Sequence, residues 1–255
     1  MNEQSNPESS GRTWRALYIT GGVAAMLAVF IFRRNLGAEL GLLSNLGIIR
    51  GLPPTSPIHA PDWFQLFQTN RLVGITLLNF FDLVEYALLG LVFLALYGAL
   101  KRSSNSAMVI ATACGLVGIA IYFASNQALA MLGLSERYAT ATSEAQRELY
   151  MSAGEALLAV NNPNTIYQGT GIYVSYFLVL MAGLIISLVM WRSGIFSKAT
   201  ALMGILANGI GLCYFITLVF FPAIYWIPHP ISAPFRVIWY FLLAIKLFQL
   251  ARQAG

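Results

Sequence analysis

Asn79, Asp82, Glu85, Tyr86 and Asn126 are the residues of this chain whose types and spacing could do chemistry in an apolar setting. Asn79, Asp82 and Glu85 are spaced by three, so they span about 120° of one helix face, and Tyr86 stands four residues after Asp82. The acids open the apolar run "FFDLVEYALLGLVFLALYGALKR", Phe80 to Arg102. Burying a carboxylate in hydrocarbon costs roughly 2.5–3.5 kcal/mol even on the permissive insertion scale, which makes an intramembrane acid a functional candidate. Two readings stand. The acids serve proton coupling or bind a cationic or polyhydroxylated ligand; or they form a hydrogen-bonded polar knot at a water-facing helix end. Depth separates the two. A span of about twenty residues ending at Leu100 leaves Asp82 near the wet interface, whereas a span from Leu72 is centred on Tyr86 and buries both acids.

The elements that must carry these residues are membrane helices. The 255 residues are 58% hydrophobic and only 10% charged, far from the ordinary soluble balance. Apolar segments long enough to cross about 30 Å recur near Ala16–Phe32, Leu72–Leu100, Ala107–Leu134, Thr170–Trp191, Ala201–Phe221 and Ile231–Leu250. The expected fold is all-α: a polytopic bundle of six transmembrane helices forming one integral membrane domain, residues 16–252, behind a polar tail, residues 1–15. The first segment ends in Arg33 and Arg34 without a small-residue cleavage site, so it reads as a retained helix. In the sixth, Arg236 and Lys246 lie toward the two ends, where long basic side chains snorkel to the interface.

Basic residues in short connections set the orientation. Lys101 and Arg102 in "KRSSNS", Arg192 and Lys198 in "RSGIFSK", Arg12 and Arg15 before the first helix, and Arg252 after the last all fall on one side of a six-helix layout. That side reads as cytoplasmic, with both termini on it, although Arg33, Arg34, Arg50 and Arg71 fall on the other. The outer side then carries two long connections. In the first, residues 33–70, the prolines and Trp63 of "RGLPPTSPIHAPDWF" suggest an ordered loop on the membrane surface. In the other, the third connection of the chain, residues 135–169, Ser143 and Gln146 form a capping-box pattern. Behind them Glu144, Arg147, Glu148, Ser152 and Glu155 recur opposite Leu149, Ala153, Ala156 and Val160, which predicts an amphipathic helix. In this layout Asn126 lies in the outer half with Asp82 and Glu85, where a shared cavity or interhelical amide hydrogen bonds are both open; Gln127 and Asn208 are the other amides inside spans.

Several function classes find no support. The net charge of +5 is dispersed, without the basic, aromatic-interleaved patch that nucleic acid requires. The only histidines, His59 and His229, sit in proline-rich outer loops; with Asp62 they would make three metal ligands, and no spacing fixes their geometry. No spanning segment holds a haem-ligating His, and no P-loop, G-x-S-x-G elbow or dinucleotide fingerprint occurs, so no cofactor and no enzyme is expected. Cys114 and Cys213 fall in apolar segments and read as small buried hydrophobes. The small-residue series Thr200, Gly204, Ala207, Gly211 and Ala111, Gly115, Gly118 read as close helix packing within the bundle.

"TSEAQRELYMSAGEALLA" followed by "AGLIISLVMWRSGIFSKATALMGILANGIGL" resembles the bacterial membrane family catalogued as domain of unknown function 4386. The likeness lies in an Ala-Gln-Arg stretch before a glycine- and glutamate-containing helix, a basic loop with Phe-Ser-Lys, and a Gly-Ile-Leu-Ala-Asn run. It covers about a third of the chain closely and the helix layout loosely. It implies a six-helix protein of a prokaryotic plasma membrane, the bacterial inner membrane, and supplies no site residues. The expectation is therefore a multi-pass, non-enzymatic membrane protein whose partners are the bilayer and a small-molecule or lipid ligand in an outer-half polar pocket. The alternative is a proton-coupled carrier using Asp82 and Glu85.

Overall fold

The structure, a computed structural model, describes residues 7–32 and 56–254. Most of the long first connection, with Arg33, Arg34 and Arg50, lies outside the described residues. Within them every regular element is helical: α1 (Pro7–Phe32), α2 (Ala60–Thr69), α3 (Arg71–Leu77), α4 (Phe80–Leu100), α5 (Asn105–Ser125), α6 (Ala128–Ala139), α7 (Glu144–Val160), α8 (Thr170–Ser193), α9 (Lys198–Phe220) and α10 (Pro228–Gln253). Of open segments, a helix is the one that meets its own backbone hydrogen bonds internally, as hydrocarbon would require. Five stretches are long and apolar enough to cross a membrane: α4, the run Asn105–Ala139, α8, α9 and α10. The apolar part of α1, Trp14–Phe30, is shorter.

The structure departs from the sequence reading in four places. α1 begins at Pro7, inside the stretch read as a polar tail. The overlong segment from Leu72 is two helices, α3 and α4, parted at Leu78 and Asn79. The segment from Ala107 parts at Asn126 and Gln127 and continues as α6. Finally, residues 60–69 of the expected surface loop are helical. Pro61 in the first turn and Asp62, whose carboxylate accepts the His59 N–H at 3.4 Å, start α2. Trp63, expected on the loop's surface-lying stretch, is fully buried inside the protein.

The described residues fall into two compact units, residues 7–32, 85–119 and 177–254 in one and 56–84 and 120–176 in the other. In the first, α1 and α9 each pack along α10. Both small-residue series are buried here against other helices of the same chain. A Cβ at Gly204 would overlap Ser187 and the Trp239 ring, and one at Gly115 would overlap Phe93. Lipid tails are as apolar as leucine, so association gains from such close backbone approach rather than from a hydrophobic force. Outward, Val109, Ile110, Ile216, Val219 and Phe220 present apolar surface. Cys114 is only partly buried and Cys213 is exposed on this surface, so neither is the fully buried hydrophobe expected; both thiols are free.

The second unit is built like a small soluble core. Trp63, Phe64, Leu66 and Phe67 of α2 recur at helical spacing and pack with Val73 and Leu78, Ala128 and Met131 of α6, and Leu158 of α7. Gly154 lets α7 lie directly on Ala60 and Phe64. Glu155 of α7 accepts the Ala60 N–H at 2.8 Å, placing an acid at the N-terminus of α2, where the helix dipole favours it. Ser143 caps α7 by accepting the Gln146 N–H at 3.3 Å; in return the Gln146 side-chain oxygen accepts the Thr142 N–H rather than that of Ser143.

Candidate functional site: two helix breaks facing each other

Asn79 sits at φ +60°, the left-handed region that asparagine tolerates better than most residues. There α3 ends and α4 begins. The N–H groups of Leu78 and Asn79 return to Gly74 and Thr76, and the Asn79 carbonyl stands at the break between the two helices. Asn126, at the second break, meets it: its Nδ2 donates to the Asn79 carbonyl at 2.9 Å. The Asn126 side-chain oxygen accepts the Ala128 N–H at 3.1 Å and so starts α6. One turn earlier on α5, the buried Tyr122 donates its hydroxyl to Asp82 Oδ2 at 3.1 Å. The Asn126 side chain thus serves a backbone group at each break, and satisfying such groups is the condition for irregular backbone to persist away from water. Asp82 remains half-buried. Gly171, in the first turn of α8, lies so close to Ser125 that a Cβ there would overlap its hydroxyl.

Of the five residues picked out in the sequence, Asn79, Asp82 and Asn126 come together in this junction. Glu85 and Tyr86 are buried and belong to the other compact unit. There Glu85 and Arg236 both act electrostatically on the buried Tyr240. Arg236 does not snorkel: it is 9% exposed, and its guanidinium lies beside Gly211. The same unit thus holds a buried acid and a buried arginine of opposite charge, and a buried charge is costly unless it is matched.

Tyr122 and Tyr240 escape the sequence reading, in which Arg236 is an interfacial side chain. Tyr122 stands four residues before Asn126, on the same helix face, and that spacing was available as a signal. An acid buried in an apolar segment likewise calls for a cation elsewhere, and Arg236 between Pro234 and Trp239 is one. Asn208 spends its Nδ2 on the Gly204 carbonyl of its own helix, at 2.7 Å, rather than bridging helices. His229 lies in the first turn of α10 instead of a loop. His59 stands 3.6 Å from Glu155, and among the described residues no three His, Cys, Asp or Glu side chains gather closely enough for a metal ion.

Chemically, the junction offers one carboxylate steadied by a phenol at a place where two helices stop. That arrangement can accept a cation or hydroxyl donors from a ligand, or a proton. Comparison of the chain with family models, with curated proteins and with solved structures finds no match.

Proposed function

We propose that this chain is a multi-pass integral membrane protein of six spans that binds a small cationic or polyhydroxylated ligand without transforming it. Asp82 supplies the charge, in a pocket at the outer end of the bundle. The observation that carries this reading is the pair of facing breaks. α4 and α5 each have 21 residues, about 30 Å of helix, and each stops at the junction. One bilayer thickness therefore separates Asp82 from the Lys101 and Arg102 end, which the basic short loops assign to the cytoplasm. Lys101 stacks on Trp14 at 3.9 Å, so the start of α1 lies at that same end, consistent with a cytoplasmic N-terminus. α1 is the sixth span in this reading and α7 the amphipathic helix on the outer face. The motif likeness supports placement in the bacterial six-helix family and in the bacterial inner membrane.

A proton-coupled carrier using Asp82 and Glu85 is the second reading, and discontinuous helices are what favour it, since transporters build their sites at such breaks. The parent chain, Asp82→Asn and Glu85→Gln in liposomes carrying a pH-sensitive dye separate the two. A binding pocket predicts the same background proton movement in all three. A proton flux in the parent, lost at least tenfold in either variant, would establish the carrier instead.

A further inference from the structure

α6 and α7 leave between them an open groove of about 510 Å³, within the size range of small-molecule sites. Its walls include Leu129, Gly133 and Leu134 of α6 and Ala153 and Leu157 of α7, and Arg137 is the one charged residue of the lining. The neighbouring Glu136 is engaged by Arg71. The Arg137 guanidinium is exposed and has neither ion pair nor hydrogen bond among the described residues. Along α6 the order is apolar first and cationic last. The helix extends the apolar run of α5, with Leu129 60% exposed, and turns polar only at Ser135, Glu136 and Arg137, about 12 Å further on. A membrane lipid has the same order, an acyl chain and then a head group. An exposed arginine beside an apolar trough complements an anionic head, because guanidinium binds phosphate through paired N–H donors.

We propose that this groove holds one acyl chain of an anionic phospholipid, with the lipid phosphate on Arg137. The site is separate from the Asp82 junction and does not depend on it. Gly133 makes the test clean: a Cβ added there meets nothing within 4 Å, so a larger side chain enters the groove rather than the core.

The full chain, purified in mild detergent, is exposed to equimolar phosphatidylglycerol and phosphatidylcholine in mixed micelles, and the lipid retained per chain is counted by mass spectrometry. The parent retains phosphatidylglycerol preferentially. Arg137→Gln lowers that preference about fivefold, the share of one basic residue at an anionic surface, while Arg137→Lys keeps most of it. Gly133→Phe loses the retained lipid of both kinds. If Gly133→Phe does not fold, the Gln and Lys variants of Arg137 carry the test alone. A parent without preference, or parent-like retention of phosphatidylglycerol by Arg137→Gln, would overturn the proposal. So would a Gly133→Phe chain that turns from dimer to monomer with its lipid unchanged, which would assign the groove to a second copy.

Discussion

Asn126 does two jobs with one amide, and neither has a substitute. Its Nδ2 holds the Asn79 carbonyl and its oxygen starts α6. Removing one partner of a sheltered hydrogen bond costs about 1–3 kcal/mol, while a typical bond contributes about 1 kcal/mol net. Asn126→Ala is therefore expected to lower stability by about 2–4 kcal/mol, as two groups lose their partner, and Tyr122→Phe by about 1 kcal/mol through the lost bond to Asp82. Thermal unfolding in one detergent, followed by helical circular dichroism, checks the order; equal midpoints for the two variants would contradict it. At this scale the sequence showed which polar residues were costly but not what they touch. Helical spacing linked Asn79 with Asp82, yet Asn126 joins them from 47 residues away. Arg236 carried no local sign that it turns inward instead of reaching for the interface.

Elements were legible where hydropathy alone decides and illegible where a polar residue interrupts it. Averaged over a bilayer-length window, "TLLNFFDLVEYALL" and "YFASNQALAML" stay apolar, so each reads as one continuous span. Both break at an asparagine, without the glycine or proline that ordinarily flags a break: Asn79 adopts the left-handed φ itself, and the Asn126 amide serves a backbone group at each break. α2 was missed for the opposite reason: its proline-rich approach reads as loop, although Pro61 and Asp62 are helix-start residues. The small-residue series, by contrast, read correctly as packing within the chain. In α9, Gly204→Ala should destabilise by about 1–3 kcal/mol through overlap with Ser187 and Trp239. Five residues on, Gly209 has nothing within 4 Å of an added Cβ. Gly209→Ala should therefore be neutral or raise stability by up to about 1 kcal/mol through helix propensity. Midpoints of thermal aggregation for the two variants give the comparison, and a shift of the same sign and size in both would contradict it.

For the whole molecule, composition was enough to find apolar helices of membrane length: five described stretches are long and apolar enough to cross a bilayer, and residues such as Ile216, Val219 and Phe220 face outward on them. Composition did not separate the two kinds of packing within the chain. The first unit joins helices through small residues and a few buried polar groups, while the second gathers aromatic side chains around Trp63 and Phe64. The residues of the proposed pocket, Asn79, Asp82, Tyr122 and Asn126, all belong to that second unit. The central claim is that water and ligand reach Asp82 from the outer face alone. A membrane-impermeant thiol reagent tests this on Asp82→Cys in a chain whose Cys114 and Cys213 are replaced by alanine. Right-side-out and inverted vesicles then expose the two faces in turn. The account predicts labelling of position 82 from the outer face and none from the inner. Labelling from both faces would mean a path rather than a pocket, and labelling from neither would mean a sealed knot; either result contradicts it.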